Sequence, residues 1–323
     1  MAPRMPLDLG AYVTAILPQT SGFAFILGDG RVRFEEGREV RAHDGAALCA
    51  ALDPAGQGVI TGGDDGRLVR SHPEAAETLA AHKGAWIDAL ATSPASGLLA
   101  YGLGKRARVL SRSEPDFERE FEHPSTVADL AFDSRGRRLA AATYGGVALW
   151  YARFADQKPV MLRWAGAHGR VIFSPDGKYV LSAMQEPALH AWRIADGAQA
   201  ELGGCYAGKV RSLAFAQGGD WLATSGADQG VIWPFLGRDG PLRARPVGLN
   251  SDQTGRVSQV AADGDKLALG FETGAVVALD LKTEVQTVVR RSGGGAAVTA
   301  LALGQDLRLA YGDEAGGAGV VQL

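Results

Sequence analysis

Six histidines, two cysteines and a few paired acids are the groups in this 323-residue sequence that could do chemistry. None of them falls into the spacing of a common catalytic site. There is no Gly-x-Ser-x-Gly elbow to expose a nucleophile, no phosphate loop ending in Gly-Lys-Ser/Thr, and no His-Glu-x-x-His pair to hold zinc. His43, His82 and His123 recur at intervals of 39 and 41 residues. Three converging imidazoles would suit a metal, but so regular an interval places the three side chains on three successive structural units. They are read as polar anchors, one per unit, and no metal site is assigned. Asp64-Asp65 and Asp263-Gly-Asp265 pair carboxylates as a calcium site would, yet two acids in a tight turn are ordinarily turn formers, and that is the reading adopted. Arg290-Arg291 ahead of Gly293-Gly-Gly295 sets guanidinium groups beside exposed backbone N–H groups, the ingredients of an anion cradle. No helix pattern follows to add its dipole, so the segment is read as a linker. No cofactor is expected.

The bulk numbers narrow the classes further. Lys and Arg total 33 against 36 Asp and Glu, a net charge of −3, which gives little attraction to phosphate backbones or anionic lipid and argues against nucleic acid as a partner. Cys49 and Cys205 are too few for a disulfide framework or a thiolate metal site, and the chain is expected in a reducing cytoplasm. No apolar run of about 18 residues appears, and the opening MAPRMPLDLG lacks the apolar stretch of a secretory signal, so no membrane insertion is expected. The wealth of Ala, Gly and Arg suggests a bacterial source of high GC content. The unusual count is 44 glycines, which implies frequent chain reversals and many short elements.

Those reversals are periodic. Thr126–Thr143, Arg170–Ser182 and Lys209–Ser225 align on Phe132, Phe173 and Phe215, at spacings of 41 and 42 residues. Carried outward, the frame lands on Leu52 before Asp53-Pro-Ala-Gly56, on Thr92 before Ser93-Pro-Ala-Ser96, and on weaker copies beginning near Tyr12, Arg256 and Val298. That makes eight units. Each reads as an alternating segment such as Val127 to Phe132, a Gly/Pro/Asp turn, a second segment such as Arg138 to Thr143, a Gly turn, a third such as Val147 to Tyr151, and a polar fourth such as Glu118 to Glu122 or Glu284 to Arg290. Four short strands make one antiparallel sheet that cannot bury its own two faces, so the sheets must stack around an axis. The architecture expected is an all-β, closed β-propeller of eight four-stranded antiparallel blades, with seven as the alternative, in one domain spanning 1–323. The last unit ends on its third strand at Gly319–Leu323, so Pro6–Leu9 is expected to supply the missing outer strand and interlock the ends.

Phe173-Ser-Pro-Asp-Gly177, Leu222-Ala-Thr-Ser-Gly-Ala-Asp228 and Val231-Ile-Trp233 resemble the WD40 repeat. The family's Trp-Asp dipeptide is replaced by Trp150-Tyr151, Trp192-Arg193 and Trp233-Pro234. Its buried His, Ser/Thr, Asp and Trp relay is matched only in pieces: His43, Thr61 and Asp65 in the second unit, His123 and Trp150 in the fourth, Ser225, Asp228 and Trp233 in the sixth. Trp164 and Tyr206 occupy the histidine slot of the fifth and sixth.

What the resemblance implies is a non-catalytic scaffold or adaptor that binds a partner peptide or protein on one rim of the ring. It maps that rim onto Tyr12, Trp86, Arg170, Arg211 and Arg256 at the inner strands, and onto Asp64, Tyr144, Gln185 and Glu272 at the second turns. Trp86 stands out because aromatic and Arg residues dominate interface hot spots; the competing reading is a cap on a blade interface. Lys105-Arg-Ala-Arg108 with Arg112 could grip an acidic peptide, although a solvated face is the preferred reading. On the innermost strands, Cys49, Ala89, Asp129, Arg170 and Ser212 form one row, from which an inter-blade ion pair between Asp129 and Arg170 is expected. His168 replaces the apolar residue seen at Val127 and Val210, and is read as a hydrogen-bonded core residue between blades rather than a channel residue. The alternative function is a propeller enzyme or a metal-binding sensor with its site at the central channel.

Overall fold

The computed structural model describes residues 7–56, 58–154, 156–249 and 251–323, and almost all of their regular structure is strand. Among the described residues helix is confined to three single turns of 3-10 type, Gln217–Gly219, Gly240–Arg243 and Gln305–Leu307. Among the described residues no helix is long and apolar enough to cross a membrane. Each repeat becomes an antiparallel meander, and the meanders stand radially about an axis in the manner of a β-propeller. The innermost strands are Val13–Gln19, Ala47–Leu52, Leu90–Ser93, Asp129–Phe132, the second half of Val160–Phe173, Leu213–Ala216, Val257–Asp263 and Val298–Gly304.

Hydrogen bonding groups the strands into seven sheets, six of four strands and one of six, rather than the eight separate sheets expected from the repeat count. The difference arises where the fourth repeat meets the fifth. The segment Arg138–Tyr151 is extended throughout but doubles back at Gly145-Gly146, where φ is 87° and 137°. Its first half pairs with Asp129–Phe132 and its second with Val160–Arg163, while Ala152 N donates to Arg137 O at 2.9 Å across the reversal. Val160–Phe173 then runs on: Val160–Arg163 close the fourth repeat, and His168–Phe173 pair with Val180–Met184 of the fifth. Elsewhere the outer strand of one repeat reaches the inner strand of the next through a turn-forming loop such as His82-Lys-Gly-Ala85. Here the link is Trp164-Ala-Gly-Ala167, short and without a polar turn pair, so the strand runs on, with a register shift in the ladder between Tyr144 and Gly146.

The core lies between neighbouring meanders. Val59–Gly63 and Tyr179–Met184, second strands of their repeats, are buried at every position because both of their faces are covered. Ile60 and Leu68 of the second repeat pack with Ile87, Leu99 and Tyr101 of the third. Leu181 and Leu189 of the fifth pack with Leu222 and Trp233 of the sixth. Each fully buried aliphatic side chain of this kind contributes about 1.5–3 kcal/mol.

The two ends of the chain meet in one sheet. Leu7 and Asp8 pair antiparallel with Ala318 and Gly317, and Leu9 N donates to Gly316 O at 2.9 Å. Leu9 is buried in a cluster with Val13, Phe25, Ala318 and Val320. Pro6, expected to begin this strand, lies outside the described residues.

Candidate functional site

Because every inner strand runs in the same sense, their starts share one rim, and the turns between second and third strands return to it. Tyr12, Trp86, Arg170, Arg211 and Arg256 stand at or just ahead of the inner strands, and Asp64, Tyr144, Gln185 and Glu272 at the returning turns, so all nine candidates lie on that rim. They differ in what they are free to do. Asp64 is spent on the turn, accepting from Ala46 N at 2.8 Å. Arg256 lies 3.4 Å from Glu272, and Lys209 Nζ donates to Gln185 Oε1 at 2.7 Å. By contrast Trp86 is 65% exposed, Tyr144 70% and Tyr12 48%.

Arg170 and Arg211 face inward, where the inner strands enclose an axial cavity of about 300 Å³ lined also by Asp129, Thr14, Gln259 and Thr299. Thr14, Gln259 and Thr299 carry polar groups into it from the weakly matching first, seventh and eighth units, whose polar inner positions were the available signal. Arg170 Nη1 lies 3.8 Å from Asp129 Oδ1, and Asp129 Oδ2 accepts from Val171 N at 2.9 Å. Burial raises the Asp129 carboxyl above its ordinary value, opposed by the Arg170 charge and by backbone donors.

The Asp129 to Val171 bond is one of five side-chain clamps, among the described residues, from an inner strand to the next repeat. Ser212 Oγ donates to Val260 O at 3.0 Å, Ser258 Oγ to Val298 O at 2.7 Å, and Thr299 Oγ1 to Val13 O at 2.7 Å. Cys49 Sγ reaches Ile87 O at 3.3 Å, and burial pushes its thiol up to about 12, so it serves as a clamp rather than as a nucleophile.

His168 is a buried, hydrogen-bonded residue. Its Nε2 donates to Trp164 O at 3.1 Å and its Nδ1 lies 2.6 Å from Ser182 Oγ, both partners within its own sheet. The three periodic histidines go to separate partners: His43 to Thr61 and Asp65, His82 to Tyr101, His123 to Trp150 and Lys105. In the sixth repeat Trp233 Nε1 donates to Tyr206 OH at 2.7 Å, which in turn meets Thr224 Oγ1 at 3.0 Å. Tyr206 thus does the work of the missing histidine, and Thr224 rather than Ser225 is the hydroxyl of the relay. Ser225 Oγ instead accepts from Arg211 N and Ser212 N.

Several residues of the remaining charged motifs are engaged. Arg290 bonds Asp313 at 2.8 Å, Ala296 O at 3.2 Å and Gly274 O, and covers the Tyr311 ring. Arg106 and Arg108 pair with Glu120 on the adjacent outer strand, and Arg112 lies 3.4 Å from Asp53. Asp65 accepts from Arg67 N at 3.0 Å, and Asp265 from Gln217 Nε2 at 2.9 Å.

A family model described as WD domain, G-beta repeat matches residues 34–69 and 199–233. Among solved structures, the computationally designed Ika8 protein is similar over 98% of both chains at 20% identity, with a TM-score of 0.76. The fold is a β-propeller. The β-propeller domain of Myceliophteria thermophila Cps50 (Swd1) is 13% identical over 86% of this chain and 96% of that one, with a TM-score of 0.64. The RRP9 WD40 repeats are 16% identical over 95% and 99%, with a TM-score of 0.63. No curated protein matches the sequence.

Proposed function

We propose that the chain is a degenerate WD40-repeat protein acting as a non-catalytic scaffold that binds a protein or peptide on the rim carrying Tyr12, Trp86 and Tyr144. The observation that carries this reading is that three of the five large exposed aromatics among the described residues, Tyr12, Trp86 and Tyr144, stand on the same rim as the mouth of the axial cavity. Aromatic side chains give large contact area at low entropic cost. The eight inner strands favour eight blade positions, in which the seven sheets arise because the fourth and fifth repeats share one continuous strand. The ionisable groups lining the cavity are one acid and two arginines, a set suited to holding a charge rather than to shuttling a proton.

Affinity purification from the native cell tests the rim. With Trp86→Ala plus Tyr144→Ala, both exposed and therefore neutral to folding, the partner list is expected to lose proteins that the wild type retains. Identical lists would remove this rim from consideration.

A further inference from the structure

The axial cavity holds more donors than acceptors. The Arg211 guanidinium has no hydrogen-bond or ion-pair partner among the described residues, and neither the Thr14 hydroxyl nor the Gln259 amide is engaged. Arg170 is 59% exposed, and its one acidic neighbour stands 3.8 Å away. That neighbour, Asp129, has one oxygen already committed to Val171 N. Guanidinium groups offer only donors, arranged in a fork that matches a carboxylate. The excess of donors therefore calls for an anionic acceptor, and about 300 Å³ is the small end of ligand cavities, enough for a side chain and too little for a folded surface.

We propose that the axial cavity is a carboxylate pocket that takes one Asp or Glu side chain of a partner segment lying across the rim, held between Arg170 and Arg211. This rests on the reading of the rim as a peptide-binding surface and specifies what that surface selects. Arg211 supplies the unopposed charge. Arg170 turns from Asp129 toward the incoming carboxylate, and Asp129 keeps its bond to Val171 N. Trp86 and Tyr144, exposed on the same rim, give the apolar residues of the segment something to lie on.

The test is selection of an unmodified random dodecapeptide display library on the immobilised full chain. It is run in parallel on wild type, on Arg170→Met plus Arg211→Met, and on Trp86→Ala, with melting curves to show that each is folded. Arg211→Met alone is carried as well, since the Arg211 side chain has no partner to lose among the described residues. The expected result is a wild-type consensus with one fixed Asp or Glu that disappears on the double arginine variant and persists, with altered apolar positions, on Trp86→Ala. A synthetic consensus peptide should bind Arg211→Met at least tenfold more weakly, its Glu→Gln version should lose as much on wild type, and its affinity should fall as salt rises. A consensus without an acidic position, or one unchanged on the double variant, overturns the carboxylate pocket while leaving the rim a peptide-binding surface. Failure to enrich any peptide overturns the rim reading, and the pocket with it.

Discussion

His190 shows how much a single buried ring can decide. It is stacked on Trp164 with ring centroids 4.0 Å apart, leans on Trp192 at 4.5 Å, and meets Gln199 Oε1 at 3.3 Å. Burial, helped by the charge of His168 and opposed by the Gln199 bond, pushes its pKa down to about 4. Below pH 6.5 the unfolded chain takes up a proton at this ring that the folded chain refuses, so stability present above that pH drains away as pH falls toward 4. The loss assigned to this ring is of order 3 kcal/mol. Urea melts of wild type and His190→Phe at pH 7 and pH 4.5 should show a smaller loss in the variant by about 2–3 kcal/mol, and equal losses would dismiss the assignment. The sequence carried none of this. His190 sits in no recurring slot, and its environment is made by Trp164, which occupies a histidine position of the repeat. The relay shows the same gap at closer range: adjacent Thr224 and Ser225 are indistinguishable by composition, and only strand register decides which of them faces Tyr206.

At the scale of elements, the turn between second and third strands repeatedly brings a glycine against the backbone entering the next repeat. At Gly66, φ is +76° and an added Cβ would fall 2.1 Å from His82 O, while Gly66 O accepts from His82 N at 2.9 Å. Gly104 has a similar φ of +60°, but nothing stands within 4 Å of an added Cβ. Gly104→Ala should therefore cost about 1–2 kcal/mol for the left-handed backbone alone. Gly66→Ala must also move the link between two blades, and should cost at least about 2 kcal/mol more. Denaturant melts compare the two directly, and equal costs would mean that the close approach is easily relieved. Strands and turns were the legible part of this fold, because apolar alternation and glycine turns are local signals. The continuous strand joining the fourth and fifth repeats was not, because Trp164-Ala-Gly-Ala167 keeps the glycine while dropping the polar turn formers.

For the whole molecule, the period near 40 residues was sufficient to give the ring, and the short final repeat pointed to closure by the N-terminal strand. That seam joins the described ends through two ladder residues and the Leu9 side chain. Deleting residues 1–10 should lower the melting temperature by several degrees, since burying Leu9 and completing the sheet together contribute a few kcal/mol. An unchanged melt would mean that the eighth repeat stands without its outer strand. The rim was legible as a position and not as a chemistry: the family resemblance placed nine residues on one face, but it could not tell Arg256, which has Glu272, from Arg211, whose side chain has no partner among the described residues.

The same seam carries a liability. When Leu7–Asp8 lifts away, Gly317 and Ala318 lose their ladder partners, and their open N–H and C=O groups can accept a strand from any chain, including the corresponding segment of a second copy. A few residues thus separate a closed ring from strand exchange between rings. Fusions placed ahead of Leu7 that hold this segment away from the sheet should favour intermolecular pairing at high concentration.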